Sequence, residues 1–186
     1  GVMHGQQDVL LVHLKGPLEV LLPAGPLALS GTISELTARL PFTLASLALI
    51  AGDWALAGRL FGGRTGDVAG FVAALGLAAD GLLLAFGRIV QYQSLVLLLS
   101  AAALWLCWRF ATGAPARRYL PAAACCAAGA VLAHYDGIYV APALAWLVVA
   151  GGLRRGWRPA AWARALAPAV AVGLLLSLSF YLPLDR

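Results

Sequence analysis

The stretch that decides the fold is LPFTLASLALIAGDWALAG, from Leu40 to Gly58. Its only charged side chain is Asp53, and a bilayer is crossed by a helix of about 20 mostly apolar residues. It is the core of a predicted span from Ile33 to Phe61. The sequence predicts five further spans: Val68–Phe86, Ile89–Phe110, Tyr119–Ala133, Ile138–Leu153 and Ala160–Leu182. Two spans are preferred over one long helix in 119–153 because HYDG (134–137) lies in the middle.

The composition supports a membrane protein. Hydrophobic residues make up 62% of the chain and charged residues 11%, and the mean hydropathy is +0.87, whereas soluble domains are about half apolar and a quarter charged. The expected fold class is therefore all-α, a polytopic transmembrane helix bundle of about six spans. Because the chain begins with Gly1 and ends soon after an apolar run, we interpret it as an incomplete single transmembrane domain over 1–186.

The segment from Gly16 to Gly31 differs from the predicted spans. It contains three prolines and a glutamate, and proline removes a backbone donor and disturbs helices. We expect an interfacial or re-entrant helix there, within an outer-loop segment covering 1–32, with the membrane spans in 33–186. Thr32 or Ser34 can then cap the first span, and Glu35 would lie in its first turn.

The basic residues predict which side of the membrane each connection occupies. When successive loops are assigned to alternate sides, nine of the 13 Lys and Arg residues fall on one side and four on the other, and the richer side marks the cytoplasm. The nine are Arg59, Arg64, Arg109, Arg117, Arg118, Arg154, Arg155, Arg158 and Arg164, and the four are Lys15, Arg39, Arg88 and Arg186. Because the basic residues are dispersed between apolar runs, no nucleic-acid partner is expected. The three cysteines lie in apolar runs without metal-ligand spacing, and we interpret them as small buried hydrophobes.

The same assignment places three polar clusters on the outer face. They are HGQQDVLLVHLKGPLE (4–19), FGRIVQYQS (86–94) and AHYDGIY (133–139). Together they offer cations for a phosphate, carboxylates for acid–base chemistry and aromatic faces for a sugar ring.

Each cluster also has a structural interpretation. Arg88 could be a membrane-edge anchor, and the tyrosines could form an interfacial aromatic belt. His134 and Asp136 could cap a tight hairpin turn. Asp53 is interpreted as structural, and Asp80, in an outer half-span, is a second-tier candidate for a site that faces a cavity.

Four segments in this order carry a resemblance to a known family: HLKGPLEVLLPA, ELTARLPFTLASLALI, FGRIVQYQSLVLLLSAAALW and LAHYDGIYVAPAL. Together they resemble the bacterial polyprenyl-phosphate-dependent glycosyltransferases of the C-type superfamily, such as the protein O-mannosyltransferases and the lipid A aminoarabinose transferase. The most specific parts are Glu35 with Arg39-Leu40-Pro41, and Gly87-Arg88 with Tyr92.

The resemblance implies an integral membrane enzyme, in a bacterial plasma membrane, that uses a polyprenyl-phosphate sugar donor at its extracytoplasmic face. The acceptor would be a protein, lipid or glycan. Lys15-Gly16-Pro17 is similar to the family's phosphate-binding Lys-Pro element, with one glycine inserted. Asp8 lies where the family has catalytic acids, although the main acid is expected N-terminal to this chain, so the chain alone is expected to be inactive. Gln93 departs from the acid that the family often has shortly after the arginine.

The expected site therefore has three parts. Asp8 is the catalytic candidate, and Lys15 and Arg88 would bind the donor phosphate. The expected substrate-pocket residues are His13, Glu19, Tyr92, Gln93, His134 and Asp136. The sequence identifies no cofactor and no metal ligands, and leaves open whether a divalent metal is needed. The alternatives are a non-catalytic transporter or lipid-binding scaffold and an inactive partner subunit; internal repeats, which are common in transporters, are not found.

Overall fold

The structure is a computed structural model that describes residues 16–32 and 34–181. Every regular element within these ranges is helical, so the predicted all-α class is confirmed. The elements are α1 (Pro17–Ser30), α2 (Glu35–Phe61), α3 (Gly63–Ala79), α4 (Gly81–Gly87), α5 (Gln93–Ala111), α6 (Ala116–Ala133), a 3-10 helix (Tyr135–Val140), α7 (Ala141–Arg154) and α8 (Pro159–Tyr181).

Four helical segments of the described ranges are long and apolar enough to cross a membrane. They are Glu35–Phe61, Gln93–Ala111, Tyr135–Arg154 and Pro159–Phe180, and a fifth results if the bent pair α3–α4 forms one span. The sequence-based count of about six is thus approximate. The difference lies at α6, which begins with Arg117 and Arg118 in its first turn and is otherwise rich in alanine.

The first described helix, α1, is too short to be a full span, which agrees with the prediction, although it continues through Pro23 and Pro26. Its 14 residues reach about 21 Å at 1.5 Å per residue, less than the roughly 30 Å hydrocarbon thickness of a bilayer. Pro17 occupies the first turn, and Gly31 ends the helix with φ 64°. α1 packs against α2.

The chain divides into two compact units, Gly1–Leu98 and Leu99–Arg186. In the first unit, α2 and α3 form a tight helical hairpin. A single residue, Gly62, links them, and Gly62 and Gly63 have φ 67° and 51°, values that glycine adopts without steric cost. Gly66 and Gly70 of α3 are buried against α2. Small residues allow helix backbones to approach closely, which drives helix association in lipid.

The predicted second span is not one continuous helix. α3 and α4 meet at a 68° bend, and Asp80 lies at the break. Its Oδ1 accepts a hydrogen bond from the Leu83 backbone N–H at 2.7 Å, and its side chain is exposed. Asp80 therefore caps α4, because the first N–H groups of a helix need such an acceptor. Its interpretation as an acid that faces a cavity stays a prediction.

In the second unit, α6 packs against α8 and the 3-10 helix. Arg155 joins the end of α5 to the end of α7, because its guanidinium donates to the carbonyls of Phe110 at 2.7 Å, Ala114 at 2.9 Å and Gly151 at 3.1 Å. The α5–α6 and α7–α8 connections therefore lie at the same end of this unit, as the predicted alternation of sides requires. The His134 turn lies at the other end of α6.

Candidate functional site

The first unit contains an open pocket of about 410 Å³ beside the beginning of α2. The described residues that line it are Glu35, Leu36, Arg39, Thr43 and Arg88. Three of them are spaced by four residues along α2, and this spacing puts side chains on one face of a helix. The pocket therefore combines one polar face of an apolar helix with an arginine from a distant turn.

The polar face begins with a well-formed helix start. Ser34 accepts a hydrogen bond from the Thr37 backbone N–H at 3.2 Å, and the Thr37 hydroxyl oxygen accepts one from the Ser34 N–H at 3.1 Å. This reciprocal capping fixes where α2 starts, and it confirms that a cap lies in the predicted Thr32–Ser34 segment. Glu35 follows directly, where the positive end of the helix dipole favours a carboxylate.

Two hydrogen bonds hold the connection between α4 and α5, here called the Arg88 turn (87–92), and the beginning of α5 against α2. The Thr43 hydroxyl donates to the Gly87 carbonyl at 2.6 Å, and the Ser46 hydroxyl donates to the Ser94 hydroxyl at 3.0 Å. A Cβ atom at Gly87 would lie 2.9 Å from the Ser46 hydroxyl oxygen, so the turn approaches α2 closely because residue 87 is glycine. Arg88 thereby lines the same pocket as Arg39 and Glu35.

The pocket carries two guanidinium groups and one carboxylate. Arg39 and Glu35 form an ion pair at 3.2 Å, with 42% and 82% of their side chains exposed. Exposed pairs of this spacing stabilise a helix by only about 0.3–0.5 kcal/mol. The Arg88 side chain is exposed and forms no ion pair within the described ranges. Among the described lining residues, the charges of +1, +1 and −1 sum to +1.

The other predicted residues of this unit have varied positions. Asp8, His13 and Lys15 lie outside the described residues. Glu19 is buried in the first turn of α1, with 3% exposure. Tyr92 and Gln93 are half-buried where α5 begins, and Gln93 Oε1 is a buried oxygen that accepts no hydrogen bond from the described part of the chain.

His134 and Asp136 form a local pair in the second unit. His134 is buried, with 5% exposure, and its Nδ1 accepts the Asp136 backbone N–H at 3.2 Å and lies 3.1 Å from the Asp136 carboxylate. A Cβ atom at Gly137 would lie 2.6 Å from the Ala130 carbonyl oxygen, so the turn packs tightly on α6. The pair thus caps the turn, which was one of the two interpretations of this motif. Its part in a substrate pocket stays a prediction.

The sequence predicted Arg88 as a site residue but did not predict Glu35 or Arg39 as site residues. The structure brings the two motifs together at one pocket, and it adds Thr43. The available signal was the four-residue spacing of Glu35, Arg39 and Thr43 in an otherwise apolar span. Within the described ranges, no three His, Cys, Asp or Glu side chains are grouped so that they could hold a metal ion.

Comparison with known families gives one match. The family model described as dolichyl-phosphate-mannose-protein mannosyltransferase matches residues 15–180, most of the chain. No curated protein matches the chain, and no solved structure does. The match includes the pocket residues on α2, the Arg88 turn and the His134 turn.

Proposed function

The chain belongs to the dolichyl-phosphate-mannose-protein mannosyltransferase family and is therefore a membrane glycosyltransferase, and from this premise we propose a specific reaction. The enzyme transfers one sugar from a polyprenyl-phosphate donor to a hydroxyl or amine of a protein, lipid or glycan acceptor. The reaction takes place at the extracytoplasmic face of a bacterial plasma membrane. The apolar helices fit a donor with a long hydrocarbon chain.

The pocket beside α2 is the observation that carries this proposal. It places the exposed guanidinium of Arg88 at the beginning of an apolar helix, with a net positive lining. A lipid phosphate needs both surroundings, a cation for its head and an apolar environment for its chain. Arginine presents several fixed N–H donors that match phosphate oxygens.

The proposed chemistry divides between the phosphate and the acceptor. The bond between the sugar C1 and the phosphate oxygen breaks, the acceptor oxygen or nitrogen bonds to C1, and its proton passes to a carboxylate. Arg88 and Lys15 stabilise the negative charge that develops on the departing phosphate, and Asp8 is the proposed proton acceptor. The proposed substrate-pocket residues are His13, Glu19, Tyr92, Gln93, His134 and Asp136.

The experiment compares Arg88→Ala with Arg64→Ala in the full-length enzyme. Arg64 is an exposed arginine in the first turn of α3 and does not line the pocket, so it is a matched control for loss of one charge. We expect Arg88→Ala to reduce kcat/KM for the donor by at least about tenfold, and Arg64→Ala to leave it unchanged. If the two variants insert into the membrane equally and have equal activity, Arg88 does not bind the donor phosphate, and its interpretation as a membrane-edge anchor is favoured.

One feature of the structure also fits the alternative function, a transporter. Discontinuous helices are common in transporters, and α3–α4 is broken by 68°. The break, however, is capped by Asp80 itself, and the family is one of transferases. The broken helix alone therefore does not favour transport.

A further inference from the structure

The Glu35–Arg39 pair lies in the same pocket as Arg88, although neither residue was expected in the site. On the premise of the proposed function, we infer that this pair sets the charge of the phosphate site, so that the site binds the donor yet releases the product phosphate. Glu35 is then a specificity-determining residue that acts through Arg39. The donor and the product differ in charge, so the Glu35–Arg39 pair can affect the affinities of the two ligands differently.

The donor is a phosphodiester with one negative charge. The released polyprenyl phosphate is a monoester whose second pKa is about 6, so near neutral pH it carries about −1.5 to −2. Breaking the glycosidic bond therefore adds up to about one negative charge at a fixed place. The carboxylate of Glu35 lowers the charge of the site by one and so favours the donor, whereas the same site without that carboxylate would favour the product and slow its release.

The geometry allows Arg39 to bind either Glu35 or a phosphate in the pocket. Its guanidinium lines the pocket with Arg88 and touches Glu35 at 3.2 Å, and both members of the pair are substantially exposed. Because an exposed pair is worth only a fraction of a kcal/mol, a phosphate that enters beside Arg88 can attract Arg39 without a large cost. Glu35 competes for Arg39 and so limits how tightly the dianionic product is held.

The test measures two dissociation constants for the full-length protein in uncharged lipid nanodiscs. The probes are a short-chain polyprenyl phosphate and its mannosyl phosphodiester. Glu35→Gln raises the pocket charge by one, so the product should bind more tightly by a larger factor than the donor does. One added charge acting through partly solvated surroundings should change the donor-to-product ratio by about threefold to tenfold. The change should shrink as salt increases.

Two more variants separate a charge effect from a structural effect. Arg39→Gln lowers the pocket charge by one and should shift the ratio in the opposite direction. The double variant, Glu35→Gln with Arg39→Gln, restores the wild-type charge and should return the ratio to that of the wild type. Damage to the beginning of α2 would not be repaired in this way. A ratio that stays unchanged in Glu35→Gln, or a double variant that does not return to it, overturns the inference.

The variant Arg88→Gln and a competing lipid show whether the proposed phosphate site or only the inference about Glu35 is wrong. If Arg88→Gln leaves both dissociation constants unchanged, the phosphate site of the proposed function is wrong and the inference falls with it. If Arg88→Gln weakens both ligands but Glu35→Gln leaves their ratio unchanged, only the inference is wrong. If phosphatidylglycerol displaces the polyprenyl phosphate equally well, the pocket is a general anionic lipid site, and the inference is also overturned.

Discussion

The close approach of α2 and α3 depends on Gly66, and adding one methyl group there should separate the helices. A Cβ atom at residue 66 would lie 2.5 Å from the carbonyl oxygen of Gly58, whereas an ordinary contact needs about 3.5 Å. The two backbones would therefore have to move apart by about 1 Å. The Gly58 carbonyl cannot turn aside, because it already accepts the N–H of Gly62 at 3.0 Å.

The expected cost of Gly66→Ala follows from this geometry. Overpacking of a well-packed contact costs about 1–3 kcal/mol, and a chain of this size loses about 2–4 °C in Tm per kcal/mol. Gly76→Ala is the matched control on the same helix, because a Cβ atom there meets nothing within 4 Å. Both variants gain the same helix propensity, so their difference isolates the contact.

The assay is thermal unfolding of the full-length protein in detergent, followed by helical circular dichroism. Gly66→Ala should melt several degrees below Gly76→Ala. If the two variants melt at the same temperature, the tight α2–α3 contact does not contribute to stability, and the argument from small residues at this interface is refuted.

Two further predictions concern the second unit and its sidedness. Arg155→Lys should lower the free energy of unfolding by about 2 kcal/mol. Lysine cannot keep both the three hydrogen bonds to carbonyls and the contact of the guanidinium with the Phe110 ring at 4.2 Å. The control is Arg154→Lys at an exposed position, and equal melting temperatures of the two variants would contradict the prediction. With the native cysteines replaced, a cysteine at Tyr135 should react with an impermeant maleimide in intact cells, and one at Arg117 should react only after permeabilisation. The reverse pattern would place the proposed site on the wrong side.

The sequence predicted those helix ends that have local chemical causes. Ser34 caps α2 because its side chain is close enough to bond the first free N–H groups, and a serine before an apolar run signals this. The break between α6 and the 3-10 helix falls at His134, where HYDG interrupts the apolar run. Such features depend on neighbours within a few residues, and a single sequence contains that information.

The break at Asp80 was missed because apolar residues flank it on both sides. Three consecutive leucines follow Gly81, and their apolar side chains fit a continuous span as well as a bent one. Only the hydrogen bond from Leu83 to the Asp80 carboxylate distinguishes a helix cap from an acid buried in a span. The pocket was missed for a different reason: Thr43 and Gly87 are 44 residues apart in sequence, and no local pattern encodes that contact.

The polar face of α2 supplies the hydrogen bonds that hold the Arg88 turn. Lipid chains are as apolar as leucine, so a membrane offers little hydrophobic gain for bringing two helices together. A hydrogen bond and a glycine contact supply specific attraction there, and Thr43, Ser46 and Gly87 provide both. Arg39 and Glu35 lie on the same face, nearer to the beginning of α2. The residues that hold the Arg88 turn are therefore followed, along this face, by those that set the pocket charge. A change that loosens the turn should therefore also alter the electrostatics of the pocket, because Arg88 would move relative to a pair that stays on α2.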